Sequence, residues 1–94
     1  QPQVTSAADL VKLLDDSVAA SVKVLSDTDD AEYDRIWTMR HGERVFMEIA
    51  KGDVIRQSFR HLAHHRGQLS VYMRLLEIPV PSIYGPTADE NTFM

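Results

Sequence analysis

The sequence predicts an all-α chain in which two long antiparallel helices are joined by a short β-hairpin. Three observations lead there. Apolar residues recur at helical spacing over residues 7–26 and again over residues 53–77, and between these stretches the pattern breaks around a glycine. An apolar fraction of 44% is that of an ordinary globular domain, and 94 residues suffice for one domain, residues 1–94, with a small core.

The first helix is expected from Ala7 to Ser26. Thr5 or Ser6 is its N-cap, since a hydroxyl there accepts from the unpaired amides of the first turn, and Asp9 favours the positive end of the helix dipole. Leu10, Leu14, Val18, Val22 and Leu25 form an apolar stripe that Val11 widens, while Lys12, Asp15, Asp16 and Lys23 stay in water. Residues 27–32 read as an acidic loop. From Trp37 to Glu48 the spacing is that of a hairpin, with Trp37, Met39, Val45, Phe46 and Met47 flanking a turn in which Gly42 takes positive φ. Asp53 reads as the N-cap of the second helix, which runs to about Glu77 and is closed by Pro79 and Pro81.

Ile55, Phe59, Leu62, Leu69, Tyr72, Leu75 and Leu76 give the second helix its apolar face. Gly67 costs about 1 kcal/mol of helix propensity relative to alanine. It either admits a close neighbour or is simply tolerated. The tail from Pro79 is expected to lie as an ordered strap near Ile83 and Tyr84 and to fray after Asp89.

Composition narrows the function. The formal charge is -4 and no dense Lys/Arg run occurs, which argues against tracking a nucleic-acid backbone. No apolar run approaches membrane-spanning length. With no cysteine, disulfides, thiolate nucleophiles and Cys-based zinc sites are all excluded, and a cytoplasmic location fits. The chain opens Gln1-Pro2-Gln3 without Met, as a processed protein or a fragment would.

Three of the four histidines fall within His61-Leu62-Ala63-His64-His65. One helical turn separates His61 from His65, so both imidazoles project from one face and can reach one divalent ion. His64 is rotated by roughly a hundred degrees from His65 and faces elsewhere. With Leu62, Leu69 and Tyr72 nearby, the pair is expected to point towards the core. Spacing alone leaves a metal site and ordinary structural histidines both open. No Glu follows His61, so this is not the H-E-x-x-H protease pattern, and two ligands make an incomplete site.

The run HLAHHRGQLSVYMRLLEIPVPSIYGPTADE, from His61 to Glu90, resembles the C-terminal part of the DinB/YfiT-like superfamily of metal-dependent enzymes. The stretch from Trp37 to Glu48 resembles the connection before that family's last long helix. The resemblance implies an antiparallel four-helix bundle, of which this chain would hold the last two long helices plus the hairpin. It implies a divalent metal ion, zinc or nickel, held by three histidines, two of them His61 and His65. The resemblance places the third ligand on a helix preceding everything in this chain; His41 sits in the expected turn and is not assigned that role. The resemblance further implies a homodimer and a thiol-dependent transferase, isomerase or hydrolase acting on an unknown small-molecule substrate; the acidic charge and the lack of a long apolar run argue against a nucleic-acid or membrane partner. Its catalytic residues stay unassigned. Gln68 and Arg66 would orient the ligands, with a surface or ion-pairing role the equal alternative for Arg66. Tyr72 either lines the pocket or is core. The competing reading is a non-catalytic helical dimerisation module, two copies building a four-helix bundle with the histidines at the interface or as a pH-sensitive pair.

Overall fold

Helix α1 spans Ala7–Ser26 in the computed structural model, which describes residues 1–91. Its start is a reciprocal cap. The Ser6 hydroxyl accepts from the Asp9 amide at 3.1 Å, and the Asp9 carboxylate accepts from the Thr5 amide at 3.1 Å and the Thr5 hydroxyl at 2.9 Å. These donors, the Thr5 amide foremost, hold the Asp9 carboxyl below the usual carboxylate range.

The expected acidic loop, residues 27–32, runs into one further element, a 3-10 turn at Asp30–Asp34. It leads into strand β1, Ile36–His41, and β2, Arg44–Ala50, paired antiparallel. Two residues connect the strands. Positive φ is confined to Gly42, at 61°, which is the pattern of a type II′ turn and matches the right-handed twist of the strands. The register passes from Met39 opposite Met47 to Arg40 opposite Val45, so Phe46 is an extra, bulged residue on β2.

Helix α2, Lys51–Leu75, leaves β2 without a linker. It begins two residues before Asp53, and its N-cap position is Ala50 with no side-chain cap. Asp53 instead lies in the first turn and pairs with Arg56 at 2.7 Å. Contacts distant in sequence set this start. The Lys51 amide donates to the Arg35 carbonyl at 2.8 Å, and the Lys51 ammonium pairs with Glu32, which Arg35 also contacts at 3.2 Å. Lys51 first, then Arg35, hold the Glu32 carboxyl below its usual range. Gly52 lies so close to the 3-10 turn that a Cβ there would stand 3.3 Å from the Tyr33 carbonyl oxygen.

Helix α2 ends in a Schellman motif. The Ile78 amide donates to the Met73 carbonyl at 2.9 Å and the Glu77 amide to Arg74 at 3.2 Å, with Glu77 left-handed at φ 58°. The following strap is held by hydrogen bonds as far as Glu90, in line with the expected strap; residues 92–94, on which the expected fraying falls, lie outside the described residues. Asp89 accepts from Arg74 at 2.8 Å and from the Val80 amide at 2.9 Å, and the Thr87 hydroxyl donates to the Val80 carbonyl at 2.7 Å. The Arg74 and Val80 donors hold the Asp89 carboxyl below its usual range.

The architecture corrects the expected fold class. The chain is two helices with a two-stranded antiparallel sheet, not a purely all-α four-helix bundle. Alternation of apolar residues along 36–50 makes a paired sheet that α2 packs on, together with the 3-10 turn. The expected close packing of α1 along α2 is not made. An open apolar groove separates them, lined among others by Val24, Leu25, Ile55, Phe59 and Leu62. Val80 is the single buried apolar residue among those described. The radius of gyration is 17.7 Å, against about 12 Å for a compact domain of this length. The surface is 8385 Å², against about 5,500 Å² for a folded monomer of this mass.

Candidate metal centre

The face of α2 that lies on the hairpin carries Val54, Gln57, Ser58 and His61 at helical spacing, and His65 continues it one turn further. Trp37 and the cross-strand pair Met39 and Met47 lie opposite that face, and together they enclose an open hollow of about 330 Å³ with His61 in its wall. The hollow is mainly apolar on the sheet side and polar on the helix side.

His61 and His65 converge. Their Nε2 atoms are 2.8 Å apart, and the ring centroids are 4.4 Å apart at 66°. The Nδ1 of His65 lies 2.8 Å from Oε1 of Gln68. Helical spacing accounts for the row, because positions 61, 65 and 68 share one face. The ring of His64 meets the edge of His65 at 5.1 Å between centroids but makes no hydrogen bond with the pair among the described residues. Two imidazole Nε2 atoms brought together on one helix face, with an outer acceptor on one ring, are the donor types of a histidine metal site. No third His, Cys, Asp or Glu joins them among the described residues.

Other expectations fall differently. The pair does not point into a core: His61 and His65 are both exposed, as are Leu62, Leu69 and Tyr72. Arg66 does not orient the histidines. It donates to the Tyr84 hydroxyl at 2.6 Å and lies over that ring at 5.0 Å, tying the strap to α2. His41 ends β1 opposite Arg44 and is not part of the cluster. No side chain approaches the Gly67 position, so the close neighbour considered for it is not present among the described residues. Gln57 and Ser58 went unread beside His61, although they precede it by four and three residues and helical spacing alone places them on its face.

No helix among the described residues is long and apolar enough to cross a membrane. No solved structure matches the chain. The protein named "Uncharacterized protein YrdA" from Bacillus subtilis (strain 168) is 40% identical over 46 residues, which are 49% of this chain and 28% of YrdA. The match thus spans little more than a quarter of that relative's length. The sequence profile of the DinB family matches residues 1–92, and the histidines that converge on α2 lie within that match: the chain belongs to the DinB family.

Proposed function

We propose that His61 and His65 supply two ligands, through Nε2, to a divalent ion, zinc or nickel, in a metal-dependent enzyme. The observation that supports this best is the 2.8 Å approach of the two Nε2 atoms while Gln68 engages the far side of His65. The third ligand would come from outside this chain. With an open position left, such an ion supplies Lewis acidity that lowers the pKa of a bound water or thiol. Gln68 would keep the His65 ring in place, and Trp37, Met39 and Met47 would shield one side of the site and receive the apolar part of a small-molecule substrate. Transfer to or from a thiol, or hydrolysis, is the reaction class in view. A cytoplasmic setting accords with the lack of cysteine.

Calorimetric titration of the full-length protein with zinc and nickel tests the reading. His65→Ala abolishes binding and His64→Ala leaves it nearly intact, because only His65 shares its Nε2 contact with His61. Equal losses in the two variants would overturn the assignment.

A second reading, self-association through the helices, is supported by the surface. The excess of roughly 2,900 Å² per chain over a folded monomer, about twice that for a pair, is at the upper end of the total area that obligate interfaces bury. Leu10, Leu14, Val18 and Val22 on α1 are more than half exposed, and so are Leu62 and Leu69 on α2. Sedimentation at micromolar concentration gives a dimer on this reading; a compact, stable monomer rules it out.

A further inference from the structure

We infer that Gln68 is a positioning residue that fixes His65 as its Nδ1–H tautomer, leaving the Nε2 lone pair directed at His61. The use of that lone pair for a cation rests on the metal reading above; the tautomer itself does not.

A neutral imidazole has one N–H and one lone pair, and the partner of one nitrogen decides the state of the other. Both nitrogens of His65 are engaged, Nδ1 by Gln68 Oε1 and Nε2 by His61 Nε2, each at 2.8 Å. An amide oxygen only accepts, so Nδ1 carries the proton and Nε2 the lone pair. The contact with His61 then requires His61 to donate from Nε2. The two rings, identical in sequence terms, are thus in opposite tautomers. His65 is already set to bind a cation through Nε2. His61 must first move its proton from Nε2 to Nδ1, a change that conserves protons and that no described hydrogen bond at His61 Nδ1 opposes. Binding therefore starts at His65, and Gln68 is the reason for the order.

The residue type suits the task. A glutamine three positions on reaches back along the helix to the ring, whereas asparagine is one methylene shorter. Gln68 is exposed, so its replacement leaves no cavity. The rival arrangement has the Gln68 amide reversed, with its NH₂ donating to a bare Nδ1 and the proton on Nε2.

Long-range ¹H–¹⁵N correlation spectra of the histidine side chains, recorded on the metal-free full-length protein, separate these. The expected result is His65 as the Nδ1–H tautomer in the parent and in Gln68→Glu, which keeps an acceptor, and a mixed population in Gln68→Leu. Zinc titration then shows a loss of about 10–100-fold in affinity for Gln68→Leu, restored to within a few-fold by Gln68→Glu. An Nε2–H tautomer at His65 in the parent, or a His65 spectrum unchanged in Gln68→Leu, overturns the inference. A parent that shows the expected tautomers but binds no zinc overturns the metal reading and upholds the role of Gln68.

Discussion

Helix α1 and the junction where β2 becomes α2 are neighbours held by different means. Apart from one 3.4 Å contact from the Tyr33 hydroxyl to the Leu25 carbonyl, the polar contacts described for α1 reach no further than four residues along the chain. The junction draws on partners such as Lys51 and Glu32, nineteen residues apart, and on the ladder between the strands. A helix of this length without packing is marginal in water, because nucleation is costly and most helical stability in proteins comes from a covered apolar face. Local chemistry decides where α1 begins and ends. Its persistence depends on whatever covers its stripe.

Hydrogen exchange of the 94-residue chain puts the comparison at greatest risk. Amides of the strands and of the first turns of α2 exchange at least about tenfold more slowly than those in the middle of α1. Equal protection would mean that α1 is packed as firmly as the junction. Single substitutions sharpen the contrast. Gly42→Val forces a branched residue into the left-handed region and costs about 1–2 kcal/mol. The loss appears in the thermal transition and in strand protection, since no neighbour approaches the Gly42 position and only its backbone is strained. Ser6→Ala removes the cap for about 1 kcal/mol, and its effect is confined to α1 exchange.

The smallest effect is that of pH. Glu32 is held below its usual range by Lys51 and Arg35, and Asp9 by its cap donors. A depressed folded-state pKa contributes stability above the unfolded value that is lost as pH falls through the folded one. Acid titration monitored by exchange therefore weakens both regions as pH falls below about 4. Added salt reduces the Glu32 contribution, because its partners are partly exposed.

These contrasts explain what was legible in the sequence. The bounds Ala7–Ser26 stand as read because cap, stripe and terminus are all local. The start of α2 was misplaced at Asp53, since the approach of Gly52 to Tyr33 and the hold of Arg35 on Lys51 have no local signature. The hairpin was legible from Gly42 and the alternation around it. Its weight in the fold was not, because α2 rests on the strands through pairs such as Met39 and Met47 whose register depends on a bulge. At the site, helical spacing sufficed to bring His61, His65 and Gln68 into one row. For Arg66 the surface alternative stands, but its partner, Tyr84, has no local signature because it lies eighteen residues away in a strap without periodicity.

The bulge at Phe46 bears on how such an open molecule avoids clumping. A sheet of two strands has two outer edges whose amides and carbonyls can template a third strand from another molecule. Val45, Phe46 and Met47 would be a sticky stretch of such an edge, and Phe46 is half exposed. The extra residue breaks the even spacing that an incoming strand would need. Arg44 and Glu48 bracket the stretch as charged gatekeepers, and the Arg44 guanidinium lies over the Phe46 ring at 5.0 Å. The irregularity that offsets the register of β2 also makes the hairpin a poor seed for fibrils.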